Sequence, residues 1–401
     1  MTLFTKLYYK TILPLFTNDD DIPNVDGWKA YIDRLPESKD CLTEAHNKYI
    51  CKKYYLSKKQ YLIFNLISEM LLLPAKILCS LPSLKTENNP SKGTLYLERK
   101  THIDYNDTIP DELLSEYDTI KIGSNSQVLF RRLDDEAKRY LREIKRRYPK
   151  EKYFIFVVYK ELARHCDIIR KINPVVTVMY AYEKNFASPI ITEYYEKQRR
   201  KFISFMHGDY LLQLIQAYMH FSEYYVWDKA YIEMYTNELR CNREQFKVYT
   251  PRKLYPTMNF EGIEPEYDCT YYFSGPSEQS IHVLSGVFKQ LRDAGLKCKI
   301  RLHPRWTINE KFIREEFSDF YIEDSKTVSL SESLGNTKNV IGLSSTVLHE
   351  AFINGKRIIL DDLSSPEHFN SLKERKYIML TKDHGLLSDY LSYCKNTSCC
   401  L

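Results

Sequence analysis

At 401 residues, 43% of them apolar, the chain is long enough to bury two cores of ordinary domain size. Its formal net charge of +5 suits a partner carrying phosphates or carboxylates. It is far from the dense basic stripe of a nucleic-acid binder, and no segment concentrates basic residues with aromatics, so a nucleic-acid role is excluded. Ten cysteines, without a CxxC or a Cys/His zinc spacing, read as reduced thiols of a cytoplasmic protein without a structural metal. The ending Ser398-Cys399-Cys400-Leu401 is not a prenylation box, and the 33 tyrosines against 12 glycines read as codon bias before chemistry.

In chain order, Lys6 and Lys10 precede a short apolar stretch, residues 11–16, and Asp19 to Asp21 follow without a small-residue cleavage site, so export is not expected. Residues 61–84 form the most apolar segment, interrupted by Asn65, Glu69, Pro74 and Lys76. It reads either as a buried helix pair or as a monotopic helix lying on a membrane, with Lys52, Lys53, Lys58 and Lys59 just upstream. Residues 1–92 therefore make a helical N-terminal extension, closed by the turn-rich linker 85–93.

Beyond residue 92 short apolar runs alternate with charged helical stretches. Strands are predicted at 94–97, 119–122, 153–159, 174–180 and 202–206, with helices at 133–148 and 189–201. Residues 237–256 turn polar and loop-like, and a second series follows. Its strands are predicted at 268–273, 297–302, 320–322, 339–342 and 357–360, and its helices at 280–294, 309–317 and 346–354. Strands separated by helices of this length imply βαβ units and parallel sheets. The expected fold is α/β, with two Rossmann-like domains, residues 93–250 on the acceptor side and 251–401 on the nucleotide-donor side, facing a cleft at the carboxyl ends of their strands.

Four predicted strand ends carry chemistry. The apolar run ending in Met206 stops at His207-Gly208-Asp209. A histidine titrates where proton transfer is needed near neutral pH, and the glycine permits a tight turn and close approach of a ligand. His207 is thus either a base for an acceptor hydroxyl or a structural cap of the turn. In Lys299-Ile300-Arg301-Leu302-His303-Pro304-Arg305, strand alternation puts Arg301 and His303 on one side, with Arg305 just beyond. That is an anion site for a donor phosphate, or a solvated basic strand end. The run 339–342 leads through Leu343 into Ser344-Ser345-Thr346 and an amphipathic helix. N-capping explains one hydroxyl residue; three suggest phosphate bound at a helix amino end, with His349 and Glu350 in reach of the ribose or base. Weakest is the Ser274-Gly275-Pro276 turn after the first strand of the second series, a further donor contact. No Asp-x-Asp follows a strand in a metal-binding place, and Asp361-Asp362 lacks obvious partners in the sequence.

Together these segments resemble bacterial capsule and lipo-oligosaccharide glycosyltransferases of the GT-B fold. In bacterial sialyltransferases and polysialyltransferases a His-Pro pair and a later Ser/Thr pair bind the cytidine monophosphate of the donor; His303-Pro304 and Ser344-Ser345 are similar. In CDP-glycerol glycerophosphotransferases a His-Gly pair supplies the base and an Arg-x-His segment holds pyrophosphate; His207-Gly208 and Arg301-Leu302-His303 are similar. The chain departs from both. Polysialyltransferases have an acidic pair where Met206-His207 stands, so His207 or Asp209 would replace it. The glycerophosphotransferases place Asp-Tyr where Gly342-Leu343 stands.

The resemblance implies metal-independent transfer from a nucleotide-sugar co-substrate, a CMP-sugar such as sialic acid or Kdo foremost, to a glycan or lipid-linked glycan acceptor. It implies no cofactor, a cytoplasmic site and possible contact with the inner membrane. Two other functions remain open: transfer of a polyol phosphate from CDP-glycerol or CDP-ribitol, and non-catalytic nucleotide or glycan binding in an assembly complex.

Overall fold

The computed structural model describes residues 25–83, 93–98, 109–117, 119–123, 130–252, 258–303 and 309–398. The chain divides into two compact α/β units, one formed by Met1–His207 with Leu212–Tyr249, the other by Gly208–Leu211 with Thr250–Leu401.

In the first unit three helices, α1 (Val25–Ile32), α2 (Cys41–Lys53) and α3 (Lys58–Ser80), precede β1 (Thr94–Glu98), α4 (Asp111–Glu116) and β2 (Thr119–Gly123). Then come α5 (Asp135–Arg147), α6 (Lys152–Ile172), β3 (Val176–Val178), α7 (Ser188–Glu196), β4 (Lys201–Phe205), β5 (Glu223–Val226), α8 (Lys229–Glu233) and β6 (Phe246–Val248). The six strands are parallel in the order β2-β1-β3-β4-β5-β6. Leu95, Leu97, Val176, Val178, Ile203 and Phe205 supply one face of the core.

Local chemistry explains most boundaries. Asp134 accepts from Ala137 N at 2.8 Å and caps α5; Ser57 and Gln60 form a reciprocal capping box on α3. Asn173, left-handed at φ 53°, ends α6 ahead of Pro174.

The expected helical N-terminal region is present, and its described helices pack into the body of this unit. Lys48 of α2 is wholly buried and donates to Ile215 O at 3.0 Å and Ala217 O at 3.1 Å. Residues 58–80 form one continuous helix through Pro74, not a pair.

One predicted strand is overturned. Residues 153–159 begin α6, because a long helix buried on nearly all sides takes an unbroken apolar run as readily as a strand does, and its surroundings outweigh the β-branched and aromatic preference. Two short strands of this unit are additions: β5, and β6 inside the stretch read as loop. The linker 85–93 is described only at its last residue, Gly93, and the stretch 11–16, Pro304, Arg305 and the Cys399-Cys400 pair lie outside the described residues.

The second unit runs β7 (Tyr267–Tyr272), α9 (Glu278–Asp293), β8 (Cys298–Arg301), α10 (Glu310–Glu316), β9 (Tyr321–Glu323), α11 (Leu330–Gly335) and β10 (Thr337–Gly342). It ends with α12 (Thr346–Ile353), β11 (Arg357–Leu360), α13 (Pro366–Glu374), β12 (Gly385–Leu386) and α14 (Leu387–Ser398). Its parallel sheet has the order β9-β8-β7-β10-β11-β12, the doubly wound order of a Rossmann sheet. Tyr271, Phe273, Ile281, Phe288, Ile300 and Ile341 pack its main core.

Candidate functional site

In the second sheet β7 and β10 are neighbours, with Tyr271 opposite Ile341, and the chain winds outward in opposite senses from them. This is the topological switch point, the place where such sheets open a crevice at the carboxyl ends of their strands. Two of the segments singled out in the sequence lie here.

From β7 the chain passes Phe273 to the exposed Ser274-Gly275 turn. Gly275 has φ +72°, a left-handed conformation that favours glycine. From β10 the chain leaves at Gly342, where a Cβ would come within 3.2 Å of Leu348 Cδ2 and 3.4 Å of Tyr272 O, so glycine allows the close fit of strand and helix.

Ser344, Ser345 and Thr346 follow, half-buried, at the amino end of α12. Ser345 is the N-cap, its hydroxyl accepting from Val347 N at 3.2 Å. The buried Tyr377 braces the same loop: its hydroxyl accepts from Ser345 N at 3.3 Å and donates to Ser345 O at 3.4 Å. Burial, then the nearby Asp209 carboxylate, raises the Tyr377 phenol well above its ordinary range, so it serves as a neutral hydrogen-bonding group. At the amino end of α12 Val347 N is taken by the Ser345 hydroxyl and Leu348 N bonds Ser345 O at 3.0 Å, and the helix dipole favours an anion there.

The segment Gly208–Leu211 groups with this unit. His349, on α12, is buried, and its Nδ1 lies 2.9 Å from Asp209 Oδ1. His349, expected in reach of the ribose or base, holds Asp209 through its Nδ1. Glu350 is the next residue of α12 and is half-buried.

Arg301 differs from its expected part as a donor-phosphate contact. It is 7% exposed, its guanidinium is paired with Glu323 of β9, and its Nη2 donates to Val328 O at 2.9 Å. Lys299, on the same side of β8, also pairs with Glu323. Burial opposes the charge on Glu323, but hydrogen bonds from Lys299, Ser333 and Arg301 outweigh it and hold the carboxyl below its ordinary range. A guanidinium paired inside the fold in this way acts as a structural group. His303, two residues on, is half-buried.

Asp361 and Asp362, without evident partners in the sequence, are both engaged. Asp361 is fully buried and accepts from Tyr271 Oη at 2.7 Å and Ser364 N at 2.9 Å. Asp362 accepts from Ser388 N at 3.0 Å and Ser388 Oγ at 2.6 Å. They tie β7 and the start of α14 to the turn after β11.

In the first unit His207 follows β4, its ring 4.2 Å from that of Tyr180, which follows β3. Gly208 has no left-handed φ, and a Cβ there meets nothing within 4 Å, so neither a strained turn nor close packing requires glycine at that position.

Sequence reasoning missed Tyr377, Glu323 and the pairing of His349 with Asp209. Tyr377 and Glu323 lie far along the chain from the groups they hold, and no local spacing announces them.

No protein-family model and no curated protein matches the chain. Solved structures do. The UDP-GlcNAc 2-epimerase of Methanocaldococcus jannaschii is 14% identical, with 72% of this chain and 93% of that one covered and a TM-score of 0.39. A variant of the wall teichoic acid polymerase TagF soaked with CDPG is 12% identical over 86% of this chain and 88% of that one, at a TM-score of 0.45. A glycosyltransferase from Rickettsia africae ESF-5 is 13% identical over 68% and 79%, at 0.42.

Proposed function

We propose that the chain is a metal-independent glycosyltransferase of the cytoplasm, moving a sugar from a nucleotide-sugar donor to a surface polysaccharide or lipo-oligosaccharide acceptor. The observation that carries this reading is the switch point of the second sheet, where Ser344, Ser345 and Thr346 open α12 beside the Ser274-Gly275 turn.

In this reading the donor phosphate lies against the amino end of α12, with His303 and the Ser344 hydroxyl as further partners. Arg301 is left out, being occupied by Glu323. The acceptor hydroxyl oxygen attacks the anomeric carbon, and the bond from that carbon to the phosphate oxygen breaks. The hydroxyl proton passes to a general base, for which Asp209, held by His349, and His207 are the candidates. The negative charge that develops on the departing nucleotide falls to the amino end of α12 and the Ser344 hydroxyl, where preorganised dipoles act most strongly.

A CMP-sugar is favoured by the His303-Pro304 and Ser344-Ser345 pairs. The His207-Gly208 pair supports a second reading, transfer of a polyol phosphate from CDP-glycerol or CDP-ribitol, in which a phosphoanhydride bond breaks instead.

A thermal-shift series with CMP, CDP, UDP and GDP tests the donor site. One nucleotide is expected to raise the melting temperature without added metal and in the presence of a chelator. That rise should disappear in His303→Ala and Ser344→Ala. No rise with any nucleotide, or a rise untouched by both substitutions, overturns the reading. Incubation with each intact donor, followed by the mass of the product, separates sugar from polyol-phosphate transfer.

A further inference from the structure

Helix α3 turns its two sides to different surroundings. On one side Phe64, Ser68, Leu71, Leu72 and Ala75 are buried. This side is fastened to α6: the Phe64 ring stacks on Tyr153 with centroids 4.6 Å apart, and Asn65 Oδ1 accepts from Tyr153 N at 3.0 Å. Nearby, the Tyr61 hydroxyl donates to Glu151, just before α6.

On the other side Leu62, Ile63, Leu66, Met70, Leu73 and Ile77 are between 47% and 70% exposed. Their spacing puts Leu62, Leu66, Met70, Leu73 and Ile77 on one stripe. In the most apolar 18-residue window of the helix only 28% is buried, whereas a core helix of this composition is covered nearly all round. Scattered exposed leucines need no explanation, but a continuous apolar face does.

Cations border the stripe. Lys58 and Lys59 are exposed on the first turn of α3, and Lys76 is exposed near its last. Helix α5 brings Lys138, whose Nζ donates to Leu81 O at 2.6 Å, and Lys145. Burial is the main cause that lowers the pKa of Lys145, and the charges of Lys76 and Lys152 add to it. Glu69, on the same side, lies 3.9 Å from Lys152 Nζ.

An apolar stripe edged by ammonium groups is complementary to a bilayer surface carrying acidic headgroups, with acyl chains below them. At 1.5 Å per residue the 23 residues of α3 extend about 34 Å. That length would cross a bilayer, but the inner side is bonded into the folded unit, so the helix can meet a membrane only lengthwise.

We propose that the exposed face of α3 is a docking surface for an anionic phospholipid membrane, with Leu62, Leu66, Met70, Leu73 and Ile77 entering the acyl boundary and Lys58, Lys59 and Lys76 meeting the headgroups. The proposal is independent of the transferase reading: it concerns a different face and is tested without donor or acceptor.

The full chain is sedimented with vesicles of phosphatidylcholine, alone or mixed with phosphatidylglycerol. Binding to the mixed vesicles is expected to be roughly ten-fold tighter than to the neutral ones and to weaken as salt is added. Leu66→Glu/Leu73→Glu should abolish binding while leaving the melting temperature unchanged, because both positions face outward. Lys59→Glu/Lys76→Glu tests the same surface without touching an apolar contact, and should reduce binding to the mixed vesicles toward the neutral level. Binding indifferent to both double substitutions overturns the proposal. So does a protein that ignores vesicles, whether it is monomeric or a dimer that Leu66→Glu/Leu73→Glu dissociates; in the latter case a second copy covers the stripe.

Discussion

His349 Nδ1 and Asp209 Oδ1 lie 2.9 Å apart, with both side chains almost fully withdrawn from solvent. The imidazole comes from α12, the same helix whose amino end is the candidate phosphate cradle, so one element carries both the cradle and the grip on Asp209.

Loss of that grip leaves Asp209 buried without its imidazole, a cost of about 1–3 kcal/mol. His349→Ala is expected to lower the melting temperature accordingly, and His349→Gln, which keeps a donor, to recover part of it. Calorimetry on both variants checks this. Under the transferase reading, turnover should fall with His349→Ala more than with His349→Gln. An alanine variant as stable as the parent would mean the bond contributes nothing.

Ser345 caps α12 through Val347 N, so Ser345→Ala should cost about 1 kcal/mol. Asn and Asp both cap well, and either should restore the stability. They part company on ligands: Ser345→Asp adds a negative charge where a phosphate is proposed and should abolish the nucleotide-induced thermal shift, while Ser345→Asn should retain most of it.

Glu323 is 2% exposed and pairs with two buried cations, Lys299 and Arg301. Truncating it leaves both charges uncompensated in the interior. Glu323→Ala should cost on the order of 3–5 kcal/mol in urea unfolding, whereas replacing the three residues together with apolar side chains of similar volume should cost much less. A mild Glu323→Ala effect would put Arg301 back among the groups free to meet a phosphate.

Acid should destabilise the first unit through His165. It is fully buried between the Tyr195 hydroxyl, 2.9 Å from Nδ1, and the Tyr182 hydroxyl, 3.3 Å from Nε2. Burial, aided by the Arg164 charge and partly offset by Glu161, pushes its pKa from 6.5 down to about 3. The unfolded chain therefore binds a proton that the folded one refuses, so stability is whole above pH 6.5 and falls as the pH drops toward 3. At pH 5 the loss from this one group is about 2 kcal/mol. Unfolding midpoints at pH 7.5 and pH 5 measure it, and His165→Gln should flatten the difference.

The alternation of short apolar runs with charged helices after residue 92 was enough to place most strands of both sheets, since a strand buried on both faces needs an unbroken apolar run. The same rule misled at 153–159: Tyr153-Phe154-Ile155-Phe156-Val157-Val158-Tyr159 has no period that distinguishes a buried strand from a buried helix, and only the covering of α6 on nearly all sides decides it. The short edge strand β6 was invisible because it has only three residues, of which Lys247 interrupts the apolar pattern and Phe246 alone is buried.

What the sequence by itself determined is local: turn-forming Gly275, the hydroxyl run before α12, the capping aspartate and serines, and the parallel α/β class. These depend on backbone geometry and on neighbours a few residues away. What only the tertiary structure decided is which charged groups are spent and which apolar faces stay uncovered. Arg301 was consumed by Glu323 from the next strand, His349 was turned to Asp209 from a segment well over a hundred residues earlier, and α3 kept an apolar side in solvent because α6 covers only one of its faces. Ion pairing and burial are settled by partners distant in the chain, and no reading of spacing along one strand or helix can supply them.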